Sequence, residues 1–151
     1  MRFSGLFLFL LLAACASETS YRAPEAGQPA ARVRFAATSA EHVLLVTAYG
    51  GAQCEKDASS GAMGIVEGRA IERAVRADRP FVFAVQRLAH GRTAITCSVS
   101  MSMEPRPNAQ YEVEYGEDPS SCYLNVYRLE GAKPARVREP SAALTPKECR
   151  D

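Results

Sequence analysis

The chain has no tryptophan and only two histidines, His42 and His90. It has no Cys-x-x-Cys pair, no Gly-x-Ser-x-Gly, no Ser-x-x-Lys and no glycine-rich loop closing on Gly-Lys-Ser/Thr. Each absence removes a chemistry. A thiolate metal site needs closely spaced ligands, and here successive internal cysteines are 25 residues or more apart with no histidine beside them. A phosphate-cradling loop needs its terminal lysine and hydroxyl. Nucleophilic catalysis needs a serine or cysteine next to a base; His42 opens a strand pattern and His90 sits in a turn, and neither has such a neighbour. Charge is balanced as well, with 18 basic and 17 acidic side chains. The arginines are interleaved with acids, so there is no basic footprint for nucleic acid. Finally, no apolar run reaches the roughly 20 residues that span a bilayer. The stretch from Phe3 to Ala16 is shorter than that, and Ser4 and Gly5 interrupt it.

That short stretch is nonetheless the sharpest signal present. Arg2 precedes the run Leu6-Phe7-Leu8-Phe9-Leu10-Leu11-Leu12, and small residues follow, Ala13-Ala14-Cys15-Ala16-Ser17. One positive charge, a compact apolar region and a small-residue end describe a secretory signal peptide. Leu12-Ala13-Ala14-Cys15 resembles the lipobox of bacterial lipoproteins. The resemblance implies cleavage before Cys15, lipidation of Cys15 by two or three acyl chains, and durable membrane attachment, which a single chain does not give. In lipoproteins of the enteric type an Asp just after the cysteine favours the inner membrane. Ala16 and Ser17 stand here, which implies the outer membrane, on its periplasmic face. The expected organisation is residues 1–14 as signal, 15–30 as lipidated N-terminus and flexible tether, and 31–151 as one domain. The tether reading rests on Ser, Thr, Ala, Pro, Glu, Gly and Gln without periodicity.

Four cysteines remain, Cys54, Cys97, Cys122 and Cys149. An even count in an exported chain reads as two disulfides. The favoured pairing is Cys54–Cys97 with Cys122–Cys149, the second holding a polar tail that has little else to dock it. A Cys97–Cys122 bridge, leaving Cys54 to hold the tail, is the alternative.

The domain reads as β throughout. Arg32–Ala36 alternates, with Val33 and Phe35 on one face. His42–Tyr49 is apolar on both faces, as a strand covered on both sides would be. Residues 50–68 hold five glycines and read as a surface loop pinned by Cys54. Strand-like segments follow at 69–76 and at Phe81–Gln86. From Thr93 to Met103 apolar residues alternate strictly with Ala, Thr and Ser, which predicts a half-exposed strand with Cys97 facing inward. Tyr111–Tyr115, Cys122–Leu129 and Arg136–Arg138 complete the set. Seven or eight short strands separated by turn signals predict an all-β antiparallel sandwich, immunoglobulin-like or prealbumin-like, with a small closed barrel as the alternative.

Residues Cys97, Met103-Glu104-Pro105, Asn108, Tyr111-Glu112-Val113 and Cys122 also follow a pattern similar to that of small, uncharacterised proteobacterial lipoproteins. Met103 departs from it, standing where an aromatic residue is usual. The resemblance implies a cysteine-bearing β domain and no activity.

Three clusters are candidates for function. Glu112 and Glu114 share a strand face about 7 Å apart, a spacing open to glycoside chemistry but common on solvated faces. Arg69, Arg73, Arg76, Arg79, Arg87 and Arg92 precede the acids Glu112, Glu114, Glu117 and Asp118, which suggests cross-strand ion pairs, the alternative being an anionic partner such as lipopolysaccharide or a carboxylate-bearing glycan. Tyr123 and Tyr127 point away from Leu124 and Val126, giving a candidate aromatic binding patch with Asn125 and, if it lies close, Tyr49. The expected function is a non-enzymatic envelope lipoprotein without metal or cofactor. It would be structural, or would bind an envelope protein or surface glycan, and not nucleic acid. The alternative is a periplasmic inhibitor of a hydrolase such as lysozyme.

Overall fold

The computed structural model describes residues 20–89, 94–131 and 133–149. Among the described residues, ten strands form two sheets. One sheet holds, in spatial order, β4 (Ile71–Arg76), β1 (Ala30–Ala37), β7 (Gln110–Glu117), β8 (Cys122–Glu130) and β9 (Ala135–Arg138). The other holds β10 (Ala143–Leu144), β6 (Ile95–Met103), β5 (Phe81–Leu88), β2 (Val43–Tyr49) and β3 (Gly61–Glu67). Neither sheet closes on itself, so the fold is a sandwich rather than a barrel. Among the described residues every pairing of these strands is antiparallel except β1 with β7, which run parallel from Arg32↔Gln110 to Ala37↔Tyr115. The five strands between them in sequence include most of the second sheet, so the chain returns to β1 by a long connection rather than a hairpin.

The alternation read from the sequence sets the core. Val33 and Phe35 on β1 and Tyr111, Val113 and Tyr115 on β7 are buried, as are Leu124 and Val126 on β8. They face Leu44 and Val46 on β2, Phe83 and Val85 on β5, and Val99, Met101 and Met103 on β6. The Phe35 and Phe83 rings meet edge to face with centroids 5.5 Å apart, the arrangement their quadrupoles favour. The Tyr111 hydroxyl accepts a hydrogen bond from the Arg106 backbone N–H at 2.9 Å, so this core tyrosine keeps its polar end satisfied.

Four readings of the sequence need correction. Residues 50–68 are not all loop: Gly61–Glu67 is β3, paired with β2 from Val43↔Glu67 to Ala48↔Gly61 with a register shift at Val46/Thr47. The disulfides are Cys54–Cys149 and Cys97–Cys122, not the favoured pairing. Cys97 and Cys122 lie on facing sheets at the same end of the sandwich, so the bond clamps one sheet to the other. The alternating serine face of β6 is only partly open to water, with Thr96 exposed and Ser98 and Ser102 half-buried. The C-terminal tail crosses it, and Ser100 is buried, bonded through its hydroxyl to the backbone N–H of Cys149 at 2.7 Å. This tail, with Cys54 and Cys149, forms a second small apolar cluster with Tyr49, Val82 and Ala84. It supplies the second cover that the two-sided apolar character of β2 called for. Fourth, packing on the domain begins before residue 31. Ser20 bridges Ala62, the Tyr21 N–H donates to the Ala62 carbonyl at 3.0 Å, and the Tyr21 hydroxyl donates to the Ala74 carbonyl at 3.0 Å. Cys15, the signal stretch, His90, Arg92 and Thr93 lie outside the described residues.

Candidate functional site

The outer face of the β4-β1-β7-β8-β9 sheet gathers the residues that the sequence singled out. Register places Glu112 beside Tyr127, Glu114 beside Asn125 and Gly116 beside Tyr123. It places Arg138 beside Tyr127 and Arg136 beside Leu129 on the next strand. Tyr123 is among the few exposed large apolar side chains of the described residues, and Tyr127 and Asn125 are half-buried. The Arg136 guanidinium sits over the Tyr127 ring at 3.9 Å from its centroid, a cation–π contact. Its Nη2 also reaches Glu112 at 3.0 Å and Glu114 at 2.9 Å. Arg34 on β1 pairs with Glu112 from the other side. Arg138 donates to the Asn125 side-chain oxygen at 2.6 Å. The phenol of Tyr123 lies across Gly116, where any Cβ would collide with the ring at 2.4 Å. Glycine is what lets Tyr123 lie flat on the sheet.

This geometry favours the ion-paired reading of Glu112 and Glu114. An acid and a base for glycoside chemistry need one carboxylate free and one protonated. Here one guanidinium bridges both, so both are held as ion-paired acceptors on a ribbon of alternating charge. The arginine donors come from β1 and β9, not from the arginine-rich middle third that the sequence pointed to. Of that group, Arg76 pairs with Asp78 and Arg79 with Asp57. Arg73 binds the Met63 carbonyl at 2.7 Å. Among the described arginines of that group, Arg87 meets the later acids, with its Nη1 at 2.7 Å from Glu117. Tyr49 does not join the tyrosine patch: it is buried on the other sheet beside Cys149.

A second polar group bridges the sheets at the end marked by Cys97–Cys122. Arg87 neighbours Cys97 in register, and Glu117 neighbours Cys122. The Glu117 carboxylate accepts from the Tyr115 hydroxyl at 2.6 Å and from Arg87, and His42 Nε2 lies 3.7 Å away. The His42 ring meets the Tyr115 ring edge to face, and its Nδ1 is buried without a partner. Burial, then the Glu117 hydrogen bond and charge, push the Tyr115 hydroxyl well above its usual range. It therefore stays protonated and acts as a donor. A carboxylate occupied by a phenol and a guanidinium is a strut between sheets, not a free base. The sequence named Arg87 and Glu117 among its opposed charges, but only sheet packing brings His42 and Tyr115 to them.

No protein family, curated protein or solved structure matches the chain.

A cleft of about 510 Å³ opens at the same end of the sandwich, where β1 leaves its sheet and the β3–β4 turn folds over. Arg34, Ser39, Val66 and Arg69 line it among alanines and Gly68. Arg34 belongs both to this cleft and to the ion-paired face, so the tyrosine face runs into a concavity bearing two guanidinium groups. Among the described residues, no three His, Cys, Asp or Glu side chains are placed to hold a metal ion, and no helix is long and apolar enough to cross a membrane.

Proposed function

We propose that the protein is an exported bacterial envelope lipoprotein, anchored through Cys15 on the periplasmic side of the outer membrane. In this reading it is a non-enzymatic binding module. Its working surface is the outer face bearing Tyr123, Asn125 and Tyr127 with Arg136 and Arg138, and it engages an envelope protein or a surface glycan. The observation that carries the reading is the cysteine arrangement. All four internal cysteines are consumed in Cys54–Cys149 and Cys97–Cys122, and structural disulfides belong to oxidising compartments outside the cytosol. That leaves Cys15 as the one cysteine without an internal partner, placed at the end of a secretory signal. The face supports binding because it offers flat aromatic surface, an amide and guanidinium donors held in fixed positions, the composition of recognition surfaces.

The test is photocrosslinking in cells from position 123, with Thr96, exposed on the other sheet, as control. A specific adduct from 123 that is absent from 96 supports the reading, and digestion of the adduct tells protein from glycan. Equal labelling from both positions contradicts it. Inhibition of lysozyme by the purified domain, unaffected by substitution of Tyr123 or Tyr127, would replace it with the inhibitor reading.

A further inference from the structure

The point where the chain joins the domain fixes which end of the sandwich faces the membrane. Fifteen free residues between lipid and fold would let the domain tumble well clear of the headgroups. The Ser20–Ala62 bridge and the Tyr21 hydrogen bonds to Ala62 and Ala74 shorten the free length. Only five Cα steps separate Cys15 from Ser20. At no more than about 3.6 Å per step, they reach about 18 Å whatever their conformation. Ser20 joins at one end of the sandwich, beside the start of β3, the end of β4 and the turn from Arg22 to Gln28. The strands carry the opposite end about 23 Å further away, taking β1 at 3.3 Å per residue. That opposite end holds the Arg34–Arg69 cleft, the Cys97–Cys122 clamp and Tyr123.

We infer that the surface formed by Arg22–Gln28, Ala58, Ser59 and Arg76 lies against lipid headgroups, with the cleft and Tyr123 directed away from the membrane. The inference rests on the lipidation proposed above. The near end is held by its short tether and not by net charge, because Arg76 and Arg79 are paired with Asp78 and Asp57 and Arg22 is matched in number by Glu25 within the same surface. The orientation is therefore insensitive to salt, unlike a basic patch on an anionic bilayer.

The full chain, purified with its lipid and checked by intact mass, is placed in vesicles carrying an energy acceptor on their headgroups. Single probes are attached through Ala58→Cys at the near end and Ala40→Cys at the far end, both exposed positions. Several-fold greater transfer from position 58, unchanged at high salt and levelled by a long Gly/Ser insertion after Ser17, is the expected result. Equal transfer from both positions of lipidated protein overturns the inference. So does a preference that vanishes with salt, or one that survives the insertion. A mass lacking any acyl chain overturns the lipidation reading itself, and the orientation with it.

Discussion

Removing the Cys54–Cys149 bond is the perturbation whose magnitude follows most directly from this fold. The bond closes a loop with a sequence separation of 95. Restricting an unfolded chain to a loop of that length gives about 4.7 kcal/mol on the chain-entropy model. The Cys97–Cys122 bond, with a separation of 25, gives about 3.5 kcal/mol on the same model. The tail has further attachments that survive the loss: Thr145 N–H to the Ser100 carbonyl at 3.1 Å, and the Ser100 hydroxyl on Cys149 N–H for as long as the tail stays docked. Two double variants, C54S/C149S and C97S/C122S, can be compared by thermal and urea unfolding in a background carrying Cys15→Ser. For a domain of this size the first should lower Tm by about 15 °C, and the second by less. Hydrogen exchange should rise across residues 140–149 in the first variant and leave the tail protected in the second. The reverse order of stability would refute the reasoning, showing that native packing around the sheet-to-sheet clamp outweighs loop length. Peptide mapping without reduction adds a direct check: a Cys54–Cys97 peptide would contradict the fold itself.

Three further outcomes are expected. Gln86 is fully buried with neither amide atom hydrogen-bonded, so Gln86→Leu should raise stability by about 1 kcal/mol in urea unfolding; a loss of that size would show that the amide has a role. Gly64 holds φ at 149°, and an added Cβ would lie 2.8 Å from the Arg73 guanidinium and 3.1 Å from Ile71 Cδ1; Gly64→Ala should cost about 2 kcal/mol, and a neutral result would contradict the strain argument. Burial works against ionisation of Asp57, but hydrogen bonds from Ser59 and Ser60, and the nearby Arg79, outweigh it and hold the carboxyl at about 2. A depressed carboxyl contributes stability above its unfolded pKa and loses it as pH falls through the folded value. The loss therefore lies between about pH 4 and pH 2 and is on the order of 1 kcal/mol after solvent screening. Asp57→Asn should flatten that part of the acid profile, and an unchanged profile would count against the assignment.

What the sequence disclosed and what it concealed follow the range of the forces involved. Alternation on β1, β6, β7 and β8 is a local property, and it placed Val33, Phe35, Tyr111, Val113 and Tyr115 in the core. It also placed Tyr123 and Tyr127 on the outer face. Strand β3 was hidden because Gly61 and Gly64 mimic loop composition. Both take positive φ, and Gly64 packs where Arg73 and Ile71 press close. The disulfide pairing was hidden for another reason. Cys97 and Cys122 meet because the β5–β6 and β7–β8 hairpins fall in different sheets, and no local pattern says which hairpin joins which sheet. The burial of Ser100 depends on a tail that arrives from the far end of the chain. The ion-paired face was half legible: the acids were evident, but Arg34 lies on β1, which flanks β7 in space and not in sequence, and Arg136 reaches them from β9 across the width of β8.

The address of the molecule, a sandwich held close to a membrane through Cys15, is the claim on which its proposed function and orientation depend. Metabolic labelling with a fatty-acid probe, read on the intact protein by mass, tests it directly. The account predicts that residues 15–151 carry acyl chains on Cys15 and that Cys15→Ala abolishes the label. A mature protein without label, or a Cys15→Ala variant that still labels, would contradict it.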